Sequence, residues 1–178
     1  GLGARTICND TSLIGARGIL LHFDRDTCVR SRPTQEELVS AAGPFMMPVE
    51  QTTDACILIE DPPWGSHDYP CYLIVRGDTI VVGGSYLEND SVQSIRPQER
   101  ERLLENARIL GIDTTRVQPK GEWVGFRPYR PTTRVEIEQQ QDDSSNIRLV
   151  HAYGTGGSGW TVYTGVAKDV TELVLKDC

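Results

Sequence analysis

The sequence lacks the features of membrane and exported proteins. None of its 178 residues falls in an apolar run of roughly 18 or more, the length that a membrane-spanning helix requires, so we expect no membrane partner. It shows no charged segment followed by an apolar leader, so we expect no secretory signal. An initiator methionine is also absent, and the abrupt start at Gly1-Leu2-Gly3-Ala4 predicts a fragment of a longer protein.

Patterns of metal ligands are equally scarce. The chain has five cysteines and three histidines, but no C-x-x-C pair and no H-E-x-x-H spacing occurs, so we predict no metal site. Cys56 and Cys71 lie in apolar, strand-like runs. We therefore expect buried or idle thiols in a reducing compartment.

Positive charge is in deficit. Lysine and arginine number 18 against 25 aspartates and glutamates, which gives a net charge of −7. An acidic chain repels phosphates, so we expect no nucleic-acid partner. The local exception is the segment 127–134, which holds Arg127, Arg130 and Arg134 without an acidic residue. Such a cluster suits a small anion, for example a carboxylate.

The sequence does contain many short strand patterns and few helical ones. Apolar and β-branched runs predict strands at 15–23, 56–60, 71–76, 79–86, 134–138 and 146–153, the third and fourth joined as a hairpin through Gly77-Asp78. Helices are predicted at 35–42, from Pro97 until Gly111, and in the terminal segment, where Val162, Val166, Val170, Leu173 and Val174 share a face. Strands that come as hairpins indicate an α+β fold with a mixed or antiparallel sheet.

A glycine-rich stretch, HAYGTGGSGW at 151–160, separates the last strand from the terminal helix. A strand, a bare turn and a helix N-terminus offer backbone amides to an anion or to the edge of a flat ring. The spacing G-x-G-x-x-G also opens dinucleotide-binding domains, but that unit needs a further strand with an acidic residue about 20 residues later. A plain tight connection without a ligand stays open as the alternative.

Three separated motifs resemble the D-amino-acid oxidase family, which includes D-aspartate oxidase. The segment VGFRPYRPTTR at 124–134 is similar to the family pattern G-[FLY]-R-P-x-R-P-x-x-R, and VHAYGTGGSG at 150–159 is similar to V-H-x-Y-G-x-G-G-x-G. The hairpin from Tyr72 to Gly84 resembles Y-I-I-P…L-G-G. The motifs occur in the family order over nearly the whole chain.

This resemblance implies FAD as the cofactor and a division of the chain into three pieces. Residues 1–14 would be a remnant of the FAD-binding domain, 15–145 the substrate-binding domain, and 146–178 the closing strand, loop and helix of the Rossmann-like FAD-binding domain. The N-terminal half, which holds the ADP part of FAD in the family, would be a missing partner. We therefore expect the 178-residue chain alone to be inactive and colourless.

The implied reaction is the oxidative deamination of D-amino acids by O₂ to keto acids, ammonia and hydrogen peroxide. In this resemblance Arg134 binds the substrate carboxylate, Tyr72 donates its hydroxyl to it, and the Gly157 carbonyl accepts from the substrate amine. The residues that would line the flavin are Gly156, Gly157, Ser158, Gly159, Trp160 and Thr161. The resemblance also leaves a homodimer open, and it implies a peroxisomal location, with the cytoplasm as the alternative.

Other interpretations of the same residues remain. Arg134 could pair with Glu136 or Glu138 on its own strand face, and Tyr72 could pack on the sheet as an ordinary aromatic residue. The substrate could be D-aspartate, glycine or sarcosine. The chain could also be a non-catalytic module that binds a small ligand.

Overall fold

The computed structural model describes residues 1–30, 56–59, 67–138 and 148–176. Strands and helices follow one another in the order α1 (Ala4–Ile7), β1 (Ile14–Asp24), α2 (Arg25–Arg30), β2 (Cys56–Ile59), β3 (Cys71–Arg76), β4 (Thr79–Gly83), β5 (Leu87–Glu88), α3 (Pro97–Ile109), β6 (Gly121–Ile137), β7 (Val150–Thr155) and α4 (Gly159–Leu175). The predicted helix at 35–42 lies outside the described residues.

The chain forms two compact units. The first unit comprises Gly1–Ala16, Glu88–Asp90 and Phe126–Cys178, and the second comprises Arg17–Leu87 and Ser91–Gly125. Strands β1 and β6 each contribute residues to both units. The assignment of sequence pieces to a substrate domain and a flavin domain stays a prediction.

The second unit is built on an antiparallel sheet in the order β2-β3-β4-β1. Side chains alternate between the two faces of a strand, so Leu73 on β3 and Val82 on β4 are buried while Tyr72 beside them is half-buried. The predicted hairpin is therefore confirmed. Its buried face forms the core of the unit with Ile19, Leu21, Phe23, Ile80, Leu103 and Ala107.

Helix α3 packs against this sheet as its pattern predicts. Pro97 occupies the first turn, and Glu99 accepts a hydrogen bond from the Arg96 backbone amide at 2.8 Å, which caps the N-terminus. Leu103 and Ala107 are buried. The Glu99 carboxylate also forms a buried ion pair with Arg17, whose Nη1 lies 2.7 Å from Glu99 Oε1.

In the first unit, β6 pairs antiparallel with β7. The strand predicted at 134–138 is much longer in the structure, because β6 begins at Gly121 and passes through Pro128 and Pro131. The register is irregular between Tyr129 and Arg134. A proline has no amide hydrogen for the ladder, and bulged or irregular positions are where a strand tolerates it.

The terminal helix α4 packs on β7. Of the predicted apolar face, Val166, Val170 and Leu173 are half-buried, whereas Val162 and Val174 are exposed. No helix in the described segments combines the length and the apolarity that crossing a bilayer requires. The helices and the mostly antiparallel pairing confirm the predicted α+β class.

Candidate functional site

Arg134 lies on β6 and its side chain is 18% exposed. Its Nε donates to Glu136 Oε1 at 2.6 Å, and its Nη1 donates to the Tyr153 hydroxyl at 2.8 Å. The pairing with Glu136 that the sequence left open is thus present, but Glu138 is held elsewhere, 2.6 Å from Nε2 of His151. Among the described residues, Nη2 of Arg134 makes no hydrogen bond, so one edge of the guanidinium faces no protein acceptor there.

Arg134 belongs to a hydrogen-bond chain, Arg134–Tyr153–Asp10, that the sequence did not reveal. Tyr153 and Asp10 are each 8% exposed, and the Tyr153 hydroxyl donates to Asp10 Oδ2 at 2.8 Å. Asp10 also accepts from Arg130 Nε at 2.9 Å and from the Ser12 amide at 3.0 Å. The β6–β7 register places Tyr153 directly opposite Arg134. Asp10 lies 143 residues before Tyr153 in the sequence, so only the tertiary fold brings the two together.

The hydrogen bonds of this chain fix its charge states. Burial opposes ionisation of Asp10, but the bonds from Tyr153, Ser12 and Arg130 outweigh it and hold the pKa of Asp10 below its ordinary value. The hydrogen bond to Tyr153, followed by that to Glu136, raises the pKa of Arg134 above its ordinary value. At neutral pH Asp10 is therefore a carboxylate, Tyr153 a neutral phenol and Arg134 a guanidinium cation.

The glycine-rich loop follows β7 and leads into α4. Gly154 and Gly156 have φ values of +85° and +57°, which L-residues with a side chain rarely adopt. A Cβ on Gly154 would lie 2.7 Å from Cβ of Arg130, and the Gly156 amide donates to the Pro128 carbonyl at 2.9 Å. The backbone of the loop is therefore set closely against the arginine-rich segment of β6.

The predicted flavin-lining residues lie on this loop and on the first turn of α4. Gly157, Ser158, Trp160 and Thr161 are exposed, and Trp160 reaches 87% exposure. Ser158 makes no side-chain hydrogen bond to the start of the helix. Bare glycine backbone and a helix N-terminus without a side-chain cap offer donors to an electron-rich ring edge, so these residues fit a flavin.

Tyr72 lies on β3 in the second unit, so the structure does not place it in the same unit as Arg134. A Cβ on Gly83 would overlap the Tyr72 ring, and one on Gly84 would lie 2.8 Å from its Cε1. On helix α3, Asn106 donates to the Gly83 carbonyl at 2.9 Å. The Tyr72 ring therefore packs directly on the backbone of Gly83 and Gly84, as the alternative of packing on the sheet expects. The role of its hydroxyl toward the substrate stays a prediction.

Three further features bear on site chemistry. Across residues 1–30, 56–59, 67–138 and 148–176, no group of three or more histidine, cysteine or acidic side chains could hold a metal ion. Burial raises the pKa of the Cys28 and Cys71 thiols to about 11, whereas Cys56 is exposed. An open groove of about 560 Å³ between Val135 and the end of α4 contains none of the predicted site residues.

Comparison of the sequence with known proteins gives a consistent result. A sequence model of the DAO family, described as FAD dependent oxidoreductase, matches residues 4–173. D-aspartate oxidase 1 of Caenorhabditis elegans is 32% identical over 66% of this chain and 37% of its own length. D-amino-acid oxidase of Dictyostelium discoideum is 27% identical over 98% of this chain and 41% of its own length.

Solved structures with a similar fold include glycine oxidase of Geobacillus kaustophilus, with a TM-score of 0.62 and 17% sequence identity. That match covers 98% of this chain and 38% of the other chain. Iminodiacetate oxidase of Chelativorans sp. BNC1 matches with a TM-score of 0.59 and 16% identity, over 100% of this chain and 41% of the other. At this identity the likeness establishes the fold, and the chain spans less than half the length of these relatives.

Proposed function

Because the chain belongs to the DAO family of FAD dependent oxidoreductases, we propose that it forms the carboxylate-binding part and the ring-contacting part of an oxidase of D-amino acids. The observation that carries this proposal is the placement of Arg134. It lies in the same unit as the glycine loop, and one edge of its guanidinium faces no acceptor among the described residues. A guanidinium edge binds a carboxylate through two parallel hydrogen bonds, which fixes both the position and the rotation of the substrate.

The pairing of Arg134 with Glu136 does not oppose this role. The Glu136 side chain is 56% exposed, and exposed ion pairs contribute little to stability. A substrate carboxylate can therefore bind the Nη1 and Nη2 edge beside Glu136 or replace it. The Gly157 carbonyl accepts from the substrate amine in this proposal, and the Tyr72 hydroxyl donates to the carboxylate.

Bound FAD would supply the redox chemistry, namely uptake of a hydride from the substrate Cα and transfer of the electrons to O₂ with formation of hydrogen peroxide. The contribution of this chain is orientation: its glycine loop lets the ring approach without a Cβ between them, and the start of α4 offers amides to the ring edge. We propose that the ADP part of FAD requires a longer polypeptide, since the chain spans only 37% and 41% of the two curated relatives named above. We also propose a peroxisomal location, because the proposed reaction would release hydrogen peroxide.

D-aspartate is a second candidate substrate. The similarity to a protein named D-aspartate oxidase 1 favours it, and an acidic side chain requires a further cation near the site. Arg76, at the end of β3, is exposed in the hairpin turn. Arg127 lies against the glycine loop within the first unit, because a Cβ on Gly157 would be 3.3 Å from Arg127 Cδ.

The test uses the complete protein loaded with FAD. We expect hydrogen peroxide from D-alanine or D-aspartate, little from glycine and sarcosine, and none from the L-enantiomers. Arg134→Lys keeps the charge but removes the planar fork, so we expect kcat/KM to fall about a hundredfold. Unchanged kcat/KM in Arg134→Lys, or equal rates with both enantiomers, would contradict the proposal.

A further inference from the structure

Tyr153 and Asp10 are both buried, and Tyr153 joins Asp10 to the guanidinium of Arg134 through its hydroxyl. We propose that they are positioning residues that fix Arg134 for carboxylate binding, an inference that rests on the function proposed above. They act through Arg134 and do not contact the substrate. The chain of bonds runs from Arg134 Nη1 to the Tyr153 hydroxyl and from that hydroxyl to Asp10 Oδ2, each at 2.8 Å.

The direction of these hydrogen bonds gives the chain a fixed polarity. An ionised carboxylate can only accept, so Asp10 orients the Tyr153 hydroxyl hydrogen toward itself. The phenol oxygen then presents a lone pair to Arg134, which can only donate. The guanidinium is thereby held at Nη1, and its Nη2 makes no hydrogen bond to the described residues.

The anchor is rigid because each member is itself held. The Tyr153 ring packs edge-on against buried His151, with centroids 5.7 Å apart. Asp10 is bound by Arg130 and by the Ser12 amide, in addition to Tyr153. An arginine side chain has several rotatable bonds, and ordering them on ligand binding costs affinity unless the protein has already done so.

Glu136 cannot provide the same orientation. Its carboxylate bonds Arg134 Nε at 2.6 Å, but the side chain is 56% exposed and lies on the same strand. An exposed carboxylate keeps its rotamer freedom and exchanges readily with water. The buried phenol is therefore the group that determines where the guanidinium points.

The first experiment measures carboxylate binding apart from turnover, in the complete protein loaded with FAD. Propionate is the probe, because it keeps the carboxylate of the substrate and lacks the amine. For Tyr153→Phe we expect the propionate Kd from titration calorimetry to rise about tenfold, the size of one lost charge-assisted hydrogen bond. KM for the D-amino acid should rise by a similar factor while kcat changes by less than about threefold, since the carboxylate is bound alike in ground and transition states.

The second variant, Asp10→Asn, leaves the phenol in place and removes its fixed acceptor. Asp10 Oδ2 accepts from both Tyr153 and Arg130, and an amide nitrogen there would face two donors. We expect the propionate Kd to rise in this variant too. It tests the same chain if Tyr153→Phe does not fold.

Asp113→Asn is the matched control. Asp113 lies in the second unit, where it accepts a hydrogen bond from the Thr115 amide at 3.0 Å and pairs with Arg116. Asp10 makes the same two kinds of contact, with Ser12 and Arg130, in the first unit. We expect a loss of thermal stability comparable with that of Asp10→Asn, with an unchanged propionate Kd. An equal rise of Kd in Asp113→Asn would show that general destabilisation explains the effect, and would overturn the inference.

The Arg134→Lys variant separates failure of this inference from failure of the proposed function. If Arg134→Lys abolishes propionate binding while Tyr153→Phe and Asp10→Asn bind as the parent protein does, the positioning chain is wrong and the carboxylate site stands. If Arg134→Lys binds propionate normally, the proposed function itself is wrong.

Discussion

At the scale of single residues, the charge balance around Arg134 has a measurable consequence. The carboxylate of Glu136 accepts a hydrogen bond from the same guanidinium, that of Arg134, to which we propose that the substrate carboxylate binds. The hydrogen bond from Arg134 holds the pKa of Glu136 below its ordinary value, so it is ionised at neutral pH and competes for the cation.

We therefore predict that Glu136→Gln lowers KM for the D-amino acid about twofold, because an exposed competing charge has only a modest effect. Steady-state kinetics of the complete protein measure this. A rise in KM would instead mean that Glu136 orients Arg134, in contradiction to the role given to Tyr153.

The contact between Gly83 and Tyr72 gives a second prediction at this scale. A Cβ on Gly83 would overlap the Tyr72 ring, and overpacking costs about 1–3 kcal/mol. We expect Gly83→Ala to lower the thermal midpoint clearly and, in the complete protein, to raise KM. Gly121→Ala is the control on a strand, since a Cβ there meets nothing within 4 Å. Equal midpoints in the two variants would show that Tyr72 is not seated as described.

At the scale of secondary-structure elements, α3 depends on a buried charge. Arg17 is fully buried, and its guanidinium bonds Glu99 as well as the carbonyl groups of Val92 and Ser94. Burial opposes ionisation of Glu99, but the hydrogen bonds from Arg17 and Arg96 prevail and lower the pKa of Glu99. A lowered pKa in the folded state means that this stabilisation is complete above the unfolded value, near 4.5, and is lost as the pH falls through the folded value.

We predict that Glu99→Gln destabilises the protein by roughly 3–5 kcal/mol at neutral pH, because it leaves a buried guanidinium unpaired. The difference from the parent protein should shrink as the pH falls below 4.5, because Glu99 of the unfolded parent then binds a proton, and it should shrink further until the folded carboxylate is protonated too. Urea unfolding at several pH values measures both effects. Glu101→Gln, at an exposed position of the same helix, should change stability little at any pH.

The same elements show what a sequence can predict. The β3–β4 hairpin was predictable because two short β-rich runs flank the turn Gly77-Asp78. Helix α3 was predictable because its apolar residues repeat at helical spacing. The first part of β6 was not, because Pro128 and Pro131 interrupt the strand pattern that Arg134 and Val135 continue. Asp10 gave no signal at all, since its partner Tyr153 is set by tertiary folding and not by spacing.

At the scale of the whole molecule, α4 has no buried residue, and Trp160, Tyr163 and Leu175 are each more than half exposed. An apolar surface of this kind usually contacts another part of a protein.

We predict that the 178-residue chain, mixed with FAD and passed over a sizing column, elutes without the visible absorbance of a flavin. Stoichiometric flavin in the protein peak would contradict the proposed need for a longer polypeptide.

The different exposure of the cysteines in the second unit makes it possible to measure how often that unit opens. Cys56 is exposed, whereas Cys28 and Cys71 are buried and their thiols, with pKa values near 11, are almost fully protonated at neutral pH. An alkylating reagent will mark Cys56 at once and the other two only in molecules that have opened. Mass spectrometry at successive times then counts adducts on each tryptic peptide, and the ratio of adducts at the buried and exposed cysteines gives the frequency of opening without any engineered residue.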